Sequence, residues 1–406
     1  MALPTRLAPW LVLLAFGMAA CAGPQSPQQA QREQQAARAR VLADQAYRPA
    51  DSQTAMFSVQ QWMVDGHRQS LGLTLPGQGR QLPVVVYLPG LGEDAQAGPL
   101  WRQAWARAGY AVISVQPLDE DASAWTSELA RMAEFRQLAQ QRHAALPQRL
   151  ARLAAVMSEA RARAAAGDPD CSRLDFSRMA VAGHDLGTQA AMALAGEREP
   201  GAPAPMPMFR AALLLSPVVA PGQDRPERFA SLNLPLLTIT GTQDEDPTRW
   251  TRSAELRRLP FEAAPPGDKL LMVLDGATHT RLAGLVVEPR EAATGERGAR
   301  QGAAERGGRG EGRSGGRGDG GGGKPRGKGG PGGTASPDGQ GDRPALSDGR
   351  DALPEMRHGK VEHDLAITTV SVAFLDAHLR RQARARQWLA EDAPRWLQGL
   401  ALWRQR

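Results

Sequence analysis

From Met56 onward the chain alternates short apolar runs with stretches of helical spacing. "FSVQQWMV" and "QSLGLTLP" flank "DGHR", which predicts two antiparallel strands joined by a turn. "LPVVVYLPG", Leu82 to Gly90, is an almost unbroken apolar run, as a strand covered on both faces requires. "LWRQAWARAG" has helical periodicity, and "YAVISVQP" is another buried strand. Ala122 to Ala166 is helical in pattern and broken at Pro147. "MAVAG", "AALLLSP", "LPLLTITG" and "KLLMVLDG" complete about eight strands, and a helix is expected from His363 to Ala390. Strand alternating with helix predicts an α/β fold built on a mostly parallel sheet flanked by helices.

The ends and one internal block break this rhythm. Arg6, the apolar "LAPWLVLLAFGM" and the small-residue "MAAC" have the order of an export signal over residues 1–21. Residues 22–53, rich in Gln, Ala and Arg, read as a tether, partly helical. The domain proper is expected over 54–290 and 351–400. Between these, residues 291–350 hold 22 of the chain's 44 Gly, a single Leu (Leu346) and no aromatic residue. That composition cannot bury enough apolar surface to fold, so the block reads as a disordered Gly/Arg-rich insertion in one domain. Its net charge of +3 is half of the chain's +6, so the isoelectric point near 9.9 describes the insertion as much as the domain. Without aromatics to stack on bases, it gives no ground for expecting nucleic acid as a partner.

Met18-Ala19-Ala20-Cys21 resembles the bacterial lipobox. The resemblance implies that Cys21 is acylated and becomes the first residue of the mature chain, with fatty-acyl groups such as palmitate holding it on a bilayer. Ala22 in place of Asp implies, under that family's sorting rule, the outer membrane facing the periplasm of a double-membraned bacterium. The alternative is a plain secretory peptide with a chance Cys. The other cysteine, Cys171, reads as a small packed residue with no base beside it.

The candidate chemistry lies at strand ends. "AVAGHDLGTQAA" carries Gly183-His184-Asp185-Leu186-Gly187 between a strand and a small-residue helix. Glycines on either side of the central residue permit a tight strand-to-helix turn, and the helix N-terminus beneath it favours negative charge. "LPGLGEDAQ" follows the third strand, "TGTQDEDPTRW" the seventh and "LDGATHTRLAG" the eighth. Taken together these resemble the α/β-hydrolase superfamily over about Met56–Arg290 and His363–Leu389, nearest to dienelactone hydrolases and bacterial relatives of platelet-activating-factor acetylhydrolase. The resemblance implies a triad in the chain order nucleophile, acid, base: Asp185, then Asp244 (or Asp246), then His279. It also implies an oxyanion hole from the backbone N–H groups of Leu91 and Leu186, and a packing role for His184. Trp125 and Trp250 are candidates for a pocket mouth, or simply half-buried aromatics.

The departure is Asp185 where the resembled families carry Ser. A carboxylate suits displacement at a saturated carbon, giving an alkyl-enzyme ester that His279 then hydrolyses with water. Haloalkane dehalogenases and epoxide hydrolases share such an elbow, but they carry a helical cap after the sixth strand. Here only 16 residues separate "AALLLSP" from "LPLLTITG", so no cap domain is expected. Three readings stand: a cell-envelope hydrolase with an Asp-His-Asp triad acting on a small organic substrate, an inactive scaffold that binds a partner, and residual esterase chemistry with Asp185 as base on water. The expected partners are a small-molecule substrate and the membrane; no cofactor or metal is called for.

Overall fold

Turn chemistry sets the first hairpin. The structure, a computed structural model, describes residues 27–124, 135–198, 208–285 and 361–406. Strands β1 (Ala55–Val64) and β2 (His67–Pro76) pair antiparallel with Val64 opposite His67. Asp65 and Gly66 between them both have positive φ, 48° and 77°, as a two-residue hairpin loop demands.

The apolar runs then become β3 (Leu82–Leu88), β4 (Ala111–Val115), β5 (Leu174–His184), β6 (Phe209–Leu215), β7 (Leu236–Gln243) and β8 (Lys269–Thr278), all mutually parallel. With β9 (Ala401–Gln405) antiparallel beside β8, nine strands form one sheet in the order β1-β2-β4-β3-β5-β6-β7-β8-β9. This is a mixed α/β architecture consistent with an α/β-hydrolase-like fold. Chain from both sides of residues 286–360 enters the same sheet, through β8 and β9. The connection from β6 to β7 contains only the turn Pro226–Arg228, so no cap stands there.

Helices α1 (Pro27–Asp44), α2 (Pro99–Arg107), α3 (Asp119–Ala122), α4 (Phe135–Ala144), α5 (Leu146–Ala165), α6 (Leu186–Ala195), α7 (Leu259–Ala263), α8 (His279–Leu282) and α9 (Val361–His378) flank the sheet. Every residue of β3 and β4 is buried, which is why these runs are continuous rather than alternating. Successive side chains still face opposite ways. Val85 and Tyr87 join Trp101, Trp105 and Phe374 in one core layer. Val84 and Val86 join Leu150, Leu153 and Met157 in the other. Pro147 falls in the first turn of α5, where its missing N–H costs no helical bond, so the break is at Ala145.

Two expectations change at the C-terminal end. The helix expected to run from His363 to Ala390 stops at His378, followed by short helical turns up to Trp396. Arg381 takes φ 57°, a left-handed conformation incompatible with continuing the helix. The sheet also has nine strands rather than about eight: "ALWRQ" pairs with Leu270–Leu274, beyond residue 400.

Residues 27–53, the described part of the stretch expected as a tether, carry α1 and then pack. Trp396 donates its indole N–H to Leu42 O at 2.9 Å, and Tyr47 is buried. Tyr47 and Tyr110 both donate to the buried Asp376, at 2.8 and 2.5 Å, with Arg380 at 3.2 Å completing the cluster. Burial first, then the bond to Asp376, raises the Tyr47 hydroxyl above its usual range. Asp376→Ala takes the partner from the buried Tyr110 hydroxyl and one carboxylate from Arg380. It is expected to cost about 3 kcal/mol, read as a lower urea midpoint with unchanged slope.

The expected leader 1–21, with Cys21, and the insertion 291–350 lie outside the described residues, as does Trp125. No described helix is long and apolar enough to cross a membrane. Cys171 is buried, and burial first, then the Asp168 carboxylate, pushes its thiol up to about 12.

Candidate active site

The site begins with a tight bend. β5 ends at His184, Asp185 takes φ 45° and ψ −119°, and α6 starts at Leu186. Two glycines make room for it. A Cβ on Gly187 would lie 2.0 Å from Leu88 O, and one on Gly183 would lie 2.5 Å from the Gly187 carbonyl carbon. Main-chain bonds fix the bend: Asp185 N donates to Leu215 O at 3.1 Å, and Thr188 donates to Asp185 O through both N (2.9 Å) and Oγ1 (2.6 Å).

An Asp before a helix ordinarily caps it by accepting from the first turn. Asp185 makes no such cap bond. Its strained backbone turns the carboxylate across to the loop after β3, where Oδ2 accepts Leu91 N–H at 3.3 Å. The sequence-expected oxyanion donor Leu91 thus meets one carboxylate oxygen, and Leu186 opens α6 directly behind it. The other oxygen, Oδ1, stands 4.0 Å from His279 Nε2.

His279 is delivered by the end of β8 as the first residue of α8, and Asp244 by the loop after β7. Asp244 is fully buried and holds His279 Nδ1 at 3.0 Å through Oδ1. Ser216 Oγ, just past β6, donates to the same oxygen at 2.7 Å, and Thr240 Oγ1 donates to Oδ2 at 2.7 Å. Burial alone would raise the Asp244 carboxyl, but the Arg257 cation and the bond to His279 outweigh it and bring it down to about 2. An ionised Asp244 accepts a hydrogen bond from Nδ1–H, which turns Nε2 towards Asp185. For Asp185, burial likewise pushes upward, while His279, His184 and Arg257 together hold its carboxyl below the ordinary value.

Asp246, the alternative acid, does not meet His279. Its Oδ1 accepts from Thr248 N and Oγ1 and its Oδ2 from Thr251 N, each at 2.7 Å, so it organises its own loop. The structure therefore brings Asp185, Asp244 and His279 together, with Leu91 at the first of them. Trp250 stacks on His143 with ring centroids 4.8 Å apart and does not line the cavity. Burial first holds His143 down at about 3, so this ring stays neutral.

Three further contributors escape a sequence reading. Glu93 Oε2 accepts Gly90 N–H at 2.6 Å and lies 3.1 Å from His184 Nδ1, which pins His184 beneath the bend. Burial would lower the His184 ring, but Glu93 and then Asp185 raise it. Arg257 is fully buried and donates to the carbonyls of Asp244, Ser216 and Pro217 at 2.8 to 3.0 Å. Ser216 holds φ 54°, so its hydroxyl reaches both Asp244 Oδ1 and, at 2.8 Å, His279 Nδ1. Nothing local separates Arg257 from Arg258, or Ser216 from any serine closing a strand; the contacts that define them span 13 to 63 residues.

A cavity of about 680 Å³ opens over the trio, lined among others by Leu91, Glu93, Asp94, Asp185, Thr248 and His279. Its size suits a small organic molecule. Among the described residues no cluster of His, Cys, Asp or Glu is arranged to hold a metal ion. Compared with known proteins, the chain matches no family model and no curated protein.

Proposed function

We propose that the chain is a hydrolase of the α/β-hydrolase superfamily in which Asp185 is the nucleophile, His279 the general base and Asp244 its orienting acid. On this reading it acts on a small organic substrate and is held at the cell envelope through an acylated Cys21. The observation that carries the reading is the position of His279 between two carboxylates, 3.0 Å from Asp244 and 4.0 Å from Asp185, above an open cavity.

The two Asp185 oxygens then have separate tasks. Oδ1 attacks a saturated carbon from the cavity; the C–O bond forms as the carbon–leaving-group bond breaks, and the leaving group departs with that electron pair. An alkyl ester of Asp185 remains. His279 Nε2 takes a proton from water, and the resulting hydroxide adds to the ester carbonyl carbon. Charge develops on the carbonyl oxygen, Oδ2, which Leu91 N–H already holds. Collapse expels the alkoxide, His279 returns the proton to it, and the carboxylate is restored with one oxygen from water.

That last oxygen is the test. Multiple turnovers in ¹⁸O-labelled water, with terminal epoxides and 1-haloalkanes as probes, are expected to add 2 Da or more to the tryptic peptide bearing Asp185. Turnover without label would reject the ester intermediate in favour of water activation by Asp185. Binding of these probes with neither turnover nor label would favour a non-catalytic envelope protein that keeps the cavity for a partner.

A further inference from the structure

The lining of the cavity discriminates between charges. Four carboxylates belong to it: Glu93 and Asp94 from the loop after β3, Asp185 from the bend and Asp246 from the loop after β7. Among the described residues no Lys or Arg lines it. Arg257 lies buried against Asp244, and Arg281 pairs with Asp364. The other titratable lining groups are His184, bound to Glu93, and His279, bound to Asp244.

Two of the four acids are already engaged. Asp185 is the proposed nucleophile, and Asp246 gives both oxygens to donors of its own loop. Glu93 and Asp94 keep accepting capacity. Glu93 Oε2 takes Gly90 N–H and meets His184, but Oε1 has no donor among the described residues, and the side chain is 18% exposed. Asp94 is exposed and accepts from Gln96 alone. A Cβ on Gly90 would lie 3.1 Å from both Asp185 Cβ and Glu93 Oε2, so the reactive acid and the spare one flank the same glycine. No aromatic ring lines the cavity among the described residues, so nothing there cages a quaternary ammonium. Carboxylate oxygens with open lone pairs match the N–H donors of a protonated amine.

We infer that the substrate is a small amine, its primary or secondary ammonium group held by Glu93 and Asp94 while its reactive saturated carbon meets Asp185. The chemistry rests on the proposed role of Asp185; the choice of charge rests on the lining alone. A cleft lined by one sign of charge concentrates the opposite sign, so an ammonium is drawn in and an anion of the same size is repelled.

The experiment reads binding without turnover, by NMR titration of the full chain at low salt with n-butylammonium, 1-butanol, tetramethylammonium and butyrate. n-Butylammonium is expected to bind at least about tenfold more tightly than butyrate or 1-butanol, and about threefold more tightly than tetramethylammonium. The advantage should shrink as salt is added. Glu93→Gln keeps an oxygen for Gly90 N–H and should cut the advantage about fivefold. Asp94→Asn, at an exposed side chain, should cut it about twofold. Butyrate binding as tightly as n-butylammonium overturns the inference, as does no binding of n-butylammonium at all. An unchanged preference in both variants overturns it too; should Glu93→Gln not fold, the probe series and Asp94→Asn decide. Equal binding of tetramethylammonium would also overturn it, because a diffuse field would then be all that the carboxylates supply. Amine preference without ¹⁸O in Asp185 would leave this inference standing and remove the hydrolase reading; label from neutral probes with no amine preference would do the reverse.

Discussion

His279→Gln is expected to stall the chain as an alkylated Asp185. The first displacement needs the Asp185 carboxylate and the Leu91 N–H, which the substitution leaves in place, in a cavity of which residue 279 lines only a part. The second step needs a base for water, and glutamine offers none. General-base assistance is typically worth 10² to 10⁴ in rate, so steady-state turnover should fall by about 10³-fold, or about 4 kcal/mol of barrier. The single-turnover displacement should survive. Intact-protein mass spectrometry would then show the mass of the probe's alkyl group on the chain, mapped to the Asp185 peptide. Complete loss of both adduct and turnover would mean that His279 serves the first step instead, as it would if Asp185 activated water.

Gly187→Ala is expected to have the largest effect on folding. The added Cβ would meet Leu88 O at 2.0 Å, Leu88 C at 2.6 Å and Pro89 O at 2.7 Å, all main-chain atoms of the strand that leads to the Leu91 loop. No rotamer relieves a clash with backbone, so β3 and α6 must separate. We expect at least about 4 kcal/mol of destabilisation, a drop of roughly 10 °C in Tm, or failure to accumulate as soluble protein. Gly222→Ala is the control. Its φ of +78° is unfavourable for alanine, yet nothing lies within 4 Å of the added methyl. It should cost only about 1 to 2 kcal/mol, the conformational penalty by itself. Equal effects from the two substitutions would show that crowding at the bend is not what selects glycine.

The parts of this molecule that could be read from sequence are those whose cause is local. Eight strands were visible because each is an apolar run bounded by turn residues, and the bend was visible because two glycines flank a polar residue between strand and helix. Asp244 and His279 were singled out by chain order and the resemblance, and the structure sets His279 between Asp244 and Asp185. Asp246, the runner-up to Asp244 on spacing, is set aside when its oxygens are seen to serve Thr248 and Thr251.

What stayed hidden depends on distant partners. "ALWRQ" is too short and too polar to announce a strand; it becomes one because β8 offers an unpaired edge. The helix end near Arg381 carries no glycine or proline, and its left-handed residue follows from docking rather than propensity. Arg257 is one of the chain's many arginines until burial against Ser216, Pro217 and Asp244 distinguishes it.

The small strand β9 has a bearing on the chemistry. β8 carries the base, and without β9 it would be the sheet's outermost member, its main-chain groups open to any passing extended peptide. Instead the exposed margin is shifted one strand outward, onto five residues that end in Arg404 and Gln405, and so short an edge discourages unwanted pairing. The backbone leading to His279 is clamped on both sides, by β7 and β9, so the imidazole is supported by an interior strand even though it stands near the rim of the sheet.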